Sequence, residues 1–176
     1  VPSQPEVKTQ FDSSGRTMKV FVVYDSVYGN TQKIAEAMIE GIGKERETLI
    51  AKAAQASAAD LEGVDLIIVG APTHGGTFTE PVKSFLGSIP ANALNGKKAA
   101  SFDTSFTVES QGAFVRFLMK TLGYAAPKIA KALAGKGAEV LTSEIFYVVD
   151  TEGPLKEGEL ERAGKWAAAL VSQLGA

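Results

Sequence analysis

Ser26-Val-Tyr-Gly-Asn-Thr31 joins an apolar run, VFVVY (20–24), to a run with helical spacing, QKIAEAMIEGI (32–42). A strand over 18–24 therefore leads into a helix over 31–45, in which Ile34, Met38, Ile39 and Ile42 recur on one face. The first turn of a helix exposes unpaired N–H groups and the positive end of its dipole, so it can hold a phosphate without a lysine or arginine. Ser26 and Thr31 offer hydroxyl donors, and Gly29 lets the backbone fold closely around an anion. The junction contains neither GxxxxGK[ST] nor GxGxxG, which argues against a nucleoside triphosphate with magnesium and against a dinucleotide fingerprint. The same residues also suit a plainer role, with Asn30 or Thr31 simply capping the helix.

Outward from this junction, strands and helices alternate. ETLIAK (47–52) reads as a weaker strand, followed by a short helical turn in AQASAADL. VDLIIVGAP (64–72) is an almost continuous apolar run ending in Gly and Pro, as in a strand buried on both faces of a parallel sheet. A helix over 79–88 and a strand over 97–102 come next, then a polar loop and two helical stretches. Pro127 opens the second of these in its first turn, where a missing N–H matters least. The last strand lies within GAEVLTSEIFYVVD, and residues 156–174 form an amphipathic helix with Leu160, Trp166, Leu170, Val171 and Leu174 on its apolar stripe. Five strands alternating with helices predict an α/β domain, a doubly wound parallel sheet with helices on both faces. Ligands on such sheets bind outside the carboxyl ends of the strands, so SVYGNT, APTHGGTF and FDTSF should gather around one crevice.

At 176 residues the chain is sized for one domain, expected over 18–176 after a polar, unpatterned stretch (1–17) that reads as a disordered tail or a non-native remnant. A net charge of -2 leaves no broad basic footprint for nucleic acid or anionic membrane. No run approaches the length of a membrane span, and no signal-peptide pattern opens the chain, so a cytoplasmic protein is expected. The absence of Cys removes thiolate, disulfide and iron–sulfur chemistry, and a lone His74 removes multi-histidine metal sites. Redox chemistry would have to come from a bound cofactor.

VYDSVYGNTQKIAEAM resembles the phosphate loop and first helix of flavodoxin-like proteins. IIVGAPTHGGTFTEPVKSFL is similar to their third strand and second flavin loop, and GKKAASFDTSF to the strand and loop on the other side of the flavin. The resemblance spans Met18 to Ala176 and implies a five-stranded sheet of order 2-1-3-4-5 that binds FMN non-covalently. By that resemblance Ser26, Tyr28, Gly29, Asn30 and Thr31 would surround the phosphate. Pro72, Thr73, His74, Gly75 and Gly76 would line the isoalloxazine, and Asp103, Thr104, Ser105 and Phe106 would border its pyrimidine edge or outer face. Tyr28 stands where electron-transfer flavodoxins usually have a second hydroxyl residue, and resembles instead flavodoxin-like domains of multidomain flavoproteins and flavodoxin-like quinone reductases.

His74 is suited to contact the flavin or to bond within its loop, Gly75 and Gly76 to reorient toward flavin N5 or simply to turn. Phe106 can stack on the ring or anchor its loop, and Asp103 reads as a turn former or an acceptor for the ring imide. The apolar segment Phe114, Val115, Phe117, Leu118 and Met119 suits a packed helix, a lid, a quinone-binding wall or a subunit contact. Three functions follow: an FMN-dependent electron carrier serving a redox partner protein, an NAD(P)H:quinone-type reductase acting on a small quinone-like acceptor, and a flavin-free binding module. The carrier is the leading expectation, as a monomer or homodimer with no catalytic side chain and no metal.

Overall fold

The structure, a computed structural model, describes residues 15–107 and 112–174. Its elements run β1 (Lys19–Tyr24), α1 (Asn30–Ile42), β2 (Glu47–Lys52), a 3-10 turn (Ala58–Leu61), β3 (Leu66–Pro72), α2 (Glu80–Ser88), β4 (Lys98–Phe106), α3 (Ala113–Leu122), α4 (Ala125–Ala134), β5 (Glu139–Val148) and α5 (Glu159–Leu174). The five strands form one sheet, β2-β1-β3-β4-β5, and every neighbouring pair is parallel. Chain order reverses between β1 and β3, and their carboxyl ends diverge into the connections that must open a crevice there.

Side chains alternate across each strand, so one run of apolar residues feeds two cores. Val20, Val22 and Tyr24 of β1 face Ile34 and Met38 of α1 and Ala163, Ala167 and Leu170 of α5. Phe21 and Val23 face the opposite layer, where Val82 and Phe85 of α2 and Ile129 and Leu133 of α4 close the second core. β1 and β3 are central and buried on both sides, whereas β2 lies at an edge with Leu49 and Ile50 exposed, the reason its sequence signal is weak. Helices α1 and α5 cross closely at Gly41 and Gly164. A Cβ added to Gly41 would fall 2.1 Å from Gly164 O.

Most boundaries lie within a few residues of expectation, and the departures have local causes. Helix α1 stops at Ile42 because Gly43 adopts φ 84°. Strand β4 continues to Phe106, four residues past the expected end, because its polar residues stay paired to β3 and β5. Asp103 to Phe106 are thus strand residues, and Asp103 is not a turn former. Leu160, placed on the apolar stripe of the last helix, is exposed, while Trp166 packs edge-on against Phe146 with ring centroids 6.0 Å apart. Of the expected tail, residues 1–14 lie outside the described residues. Arg16 is tied to the domain, donating to Gly63 O at 3.1 Å and to Asp65.

Candidate functional site

The carboxyl end of β1 is pinned to β3, with Asp25 N–H donating to Gly70 O at 3.1 Å, and the chain then turns into α1 through Ser26 to Gly29. Gly29, at φ 85°, is the N-cap, and no side chain caps the helix. Neither Asn30 nor Thr31 has the capping role that sequence alone left open. The first i→i−4 bond is that of Lys33 N–H to Gly29 O, so the N–H groups of Asn30, Thr31 and Gln32 have no intrahelical acceptor. Ser26 Oγ is buried with no hydrogen-bond partner. A buried hydroxyl without a partner costs about 1–3 kcal/mol, and beside uncapped N–H groups it makes a donor set lacking its acceptor. An anion without a cationic side chain to neutralise it fits this set, and a phosphate in particular.

The other two walls come from the ends of β3 and β4. Thr31 Oγ1 and Thr104 Oγ1 are 2.8 Å apart, which couples the first helix to β4. Pro72, Thr73 and His74 line the crevice beside Thr104, Ser105 and Phe106, with Pro72 paired to Thr104 in the sheet and Thr73 N–H donating to Thr104 O at 3.1 Å, and Val27 and Tyr28 stand exposed at its mouth. His74 and Thr77 exchange backbone hydrogen bonds of 2.9 and 3.0 Å around Gly75 and Gly76, both at positive φ, the geometry of a tight turn that favours glycine. The turn is held from outside, with Lys128 Nζ donating to Gly76 O and to Leu122 O. A Cβ on Gly76 would meet Leu122 Cβ at 2.4 Å, so this glycine is required by close packing against α3.

The three loops expected around one crevice do meet there, and of the expected residues four stand apart from its lining. Gly29 shapes the first loop without lining the crevice. Gly75 and Gly76 form the turn beyond His74. Asp103 lies beneath the crevice, wholly buried, its Oδ2 accepting from Ala126 N–H at 2.8 Å and its Oδ1 without a partner. Burial pushes its carboxyl up to about 6, against the opposing influence of the Ala126 N–H and the Thr73 hydroxyl. Thr73 Oγ1 in turn accepts from Ala125 N–H at 3.0 Å, so Thr73 and Asp103 together serve the first turn of α4. Asn30 lines the crevice, but its amide donates to Glu152 O at 3.1 Å and anchors the segment after β5. The last residue of β5, Val148, and Thr151 of that segment join the lining, residues the sequence reading missed, although the end of β5 is a carboxyl end like the others. Among the described residues no cluster could hold a metal ion.

Comparison with known proteins adds the family. A model described as a flavodoxin domain matches residues 21–142. An NAD(P)H dehydrogenase (quinone) of Azorhizobium caulinodans is 35% identical over 114 residues, 51% of this chain and 57% of that protein. A flavodoxin of Aquifex aeolicus is 32% identical over 92 residues, 49% of this chain and 50% of that one. The chain thus spans little more than half the length of the curated relatives it matches. Among solved structures, oxidised flavodoxin 1 of Bacillus cereus superposes with a TM-score of 0.68 at 23% identity, covering 89% of this chain and 99% of that one. The flavodoxin of Streptococcus pneumoniae TIGR4 gives 0.66 at 19% identity, covering 88% and 99%. These two likenesses concern the fold. Among the described residues no helix is long and apolar enough to cross a membrane.

Proposed function

The chain belongs to the flavodoxin domain family, and on that premise we propose that it is an electron carrier that holds FMN in the crevice at the ends of β1, β3 and β4. One observation carries the reading: the orphaned Ser26 hydroxyl beside the uncapped first turn of α1, a donor set that the FMN phosphate would complete. When bound, FMN would supply the electron transfer that a chain without cysteine lacks. The protein's part is to bind and orient. Ser26, the N–H groups at the start of α1 and Thr31 hold the phosphate. Pro72, Thr73 and His74 and Thr104 to Phe106 would flank the ring, and the 74–77 turn braced by Lys128 steadies the wall at His74. Among the described residues no carboxylate lines the crevice.

The relatives named as NAD(P)H dehydrogenases (quinone) favour a second reading, in which the same site accepts a hydride from a nicotinamide and passes electrons to a small quinone. Titration of flavin-free protein with FMN, using riboflavin as the control without phosphate, tests what the two readings share. FMN is expected to bind at least ~100-fold more tightly than riboflavin, since two or more charge-assisted hydrogen bonds at about 1.5 kcal/mol each are at stake. Thr31→Ala and Gly29→Val should each weaken FMN binding and leave the far-UV spectrum unchanged. Equal affinity for both flavins would remove the phosphate site. Turnover of NAD(P)H with a quinone by the FMN-loaded protein alone would decide for the reductase.

A further inference from the structure

The charge of the chain is unevenly distributed. Residues 112–138, which form α3 and α4, contain Arg116, Lys120, Lys128, Lys131 and Lys136 and not one of the chain's 20 aspartates and glutamates. This local excess sits on a chain whose net charge is -2. Arg116 and Lys120 are one turn apart on α3, as Lys128 and Lys131 are on α4. Among the described residues none of these four forms an ion pair. The ammonium of Lys128 is fixed where the 74–77 turn meets the end of α3. Beside these cations, α3 presents Phe114 at 72% exposure and Phe117 at 65%. Two phenylalanines in water on one short helix that also carries Arg116 and Lys120 are the signature of a contact surface. Through Leu122 and Gly76 this surface is continuous with the wall of the crevice.

We propose that α3, the 74–77 turn and α4 form the docking face for an acidic one-electron redox protein. Its carboxylates would meet Arg116, Lys120, Lys128 and Lys131, and its apolar centre would cover Phe114 and Phe117. The proposal rests on the carrier reading and names the partner's chemistry. A second copy of this chain is a poorer occupant, because a two-fold contact would set these cations against themselves. An anionic bilayer is the other alternative occupant, and the test separates it. A small encounter surface with an apolar centre and a charged rim associates fast and with strong salt dependence, as a carrier exchanging partners requires.

The test is binding of the FMN-loaded protein to two probes, an acidic plant-type ferredoxin and the basic cytochrome c, at about 20 mM and about 300 mM salt. Ferredoxin affinity is expected to fall at least tenfold between the two salt levels. The variant Arg116→Glu, Lys120→Glu, Lys131→Glu should lose ferredoxin binding by tenfold or more and gain affinity for cytochrome c, with its flavin absorbance unchanged. Glu36→Lys with Glu40→Lys, on α1 across the sheet, should leave ferredoxin binding within twofold. Absent or salt-independent ferredoxin binding would overturn the proposal. So would loss of binding in the α1 variant alone, charge-dependent attachment to phosphatidylserine–phosphatidylcholine vesicles in place of ferredoxin binding, or a dimer that the Phe114→Ser, Phe117→Ser variant dissociates. Flavin-free protein is titrated in parallel: if FMN does not bind yet ferredoxin does, the carrier reading fails and the docking face stands.

Discussion

Gly41→Ala is expected to lower the unfolding free energy by about 3 kcal/mol, the upper part of the range for overpacked sites. In an open helix the same change stabilises by up to about 1 kcal/mol, because alanine gives up less backbone entropy than glycine. Here the added Cβ would lie 2.1 Å from Gly164 O and 2.5 Å from Gly164 Cα, backbone atoms that cannot move aside by a rotamer change. Helix α1 must then lift from α5, loosening the packing of Ile34 and Met38 against β1 and tilting the helix whose first turn forms the phosphate loop. Gly87→Ala in α2 is the control, since its Cβ would meet nothing within 4 Å. Denaturant titration of both variants measures the contrast. A Gly41→Ala protein as stable as Gly87→Ala would mean that the two helices do not cross this closely.

The second large effect concerns Asp103. Its carboxyl, ordinarily near 3.8, stands at about 6 in the folded protein because burial disfavours the charge. Below about 3.8 folded and unfolded chains are both protonated at this site. Between 3.8 and about 6 only the folded chain keeps the proton, so stability falls as pH rises through this window and levels off above it. The full decline from this one group is about 3 kcal/mol. Asp103→Asn keeps an acceptor for Ala126 N–H and cannot ionise. The stability difference between variant and parent should therefore grow in the variant's favour from pH 4 to pH 7. Parallel pH profiles for the two proteins would show that this carboxylate is not buried as described.

The contrast between Asp103 and Ser26 shows how far the sequence reaches into the site. Ser26 and Gly29 could be read from their place between an apolar strand and a patterned helix, because a helix start exposes donors whatever surrounds it. Asp103 looked like a loop residue in a polar stretch, since nothing local reveals that β5 pairs alongside and extends β4 past it. Asn30 similarly looked like a free phosphate donor or a cap, and its amide is taken by Glu152 O, 122 residues away.

The sequence by itself determined the alternation of strands and helices, the parallel sheet, its two-sided core and the three loops of the crevice. Each follows from hydrophobic period and turn chemistry, which are properties of neighbouring residues. Only the tertiary structure decided which polar atoms are left without partners, where Lys128 braces the 74–77 turn, and that Phe114 and Phe117 lie bare beside a cluster of cations. Those facts depend on partners distant in the chain, whose positions are set by how the helices cross the sheet. Local pattern tells a residue which side of its own element to face, and packing alone tells it what it will find there.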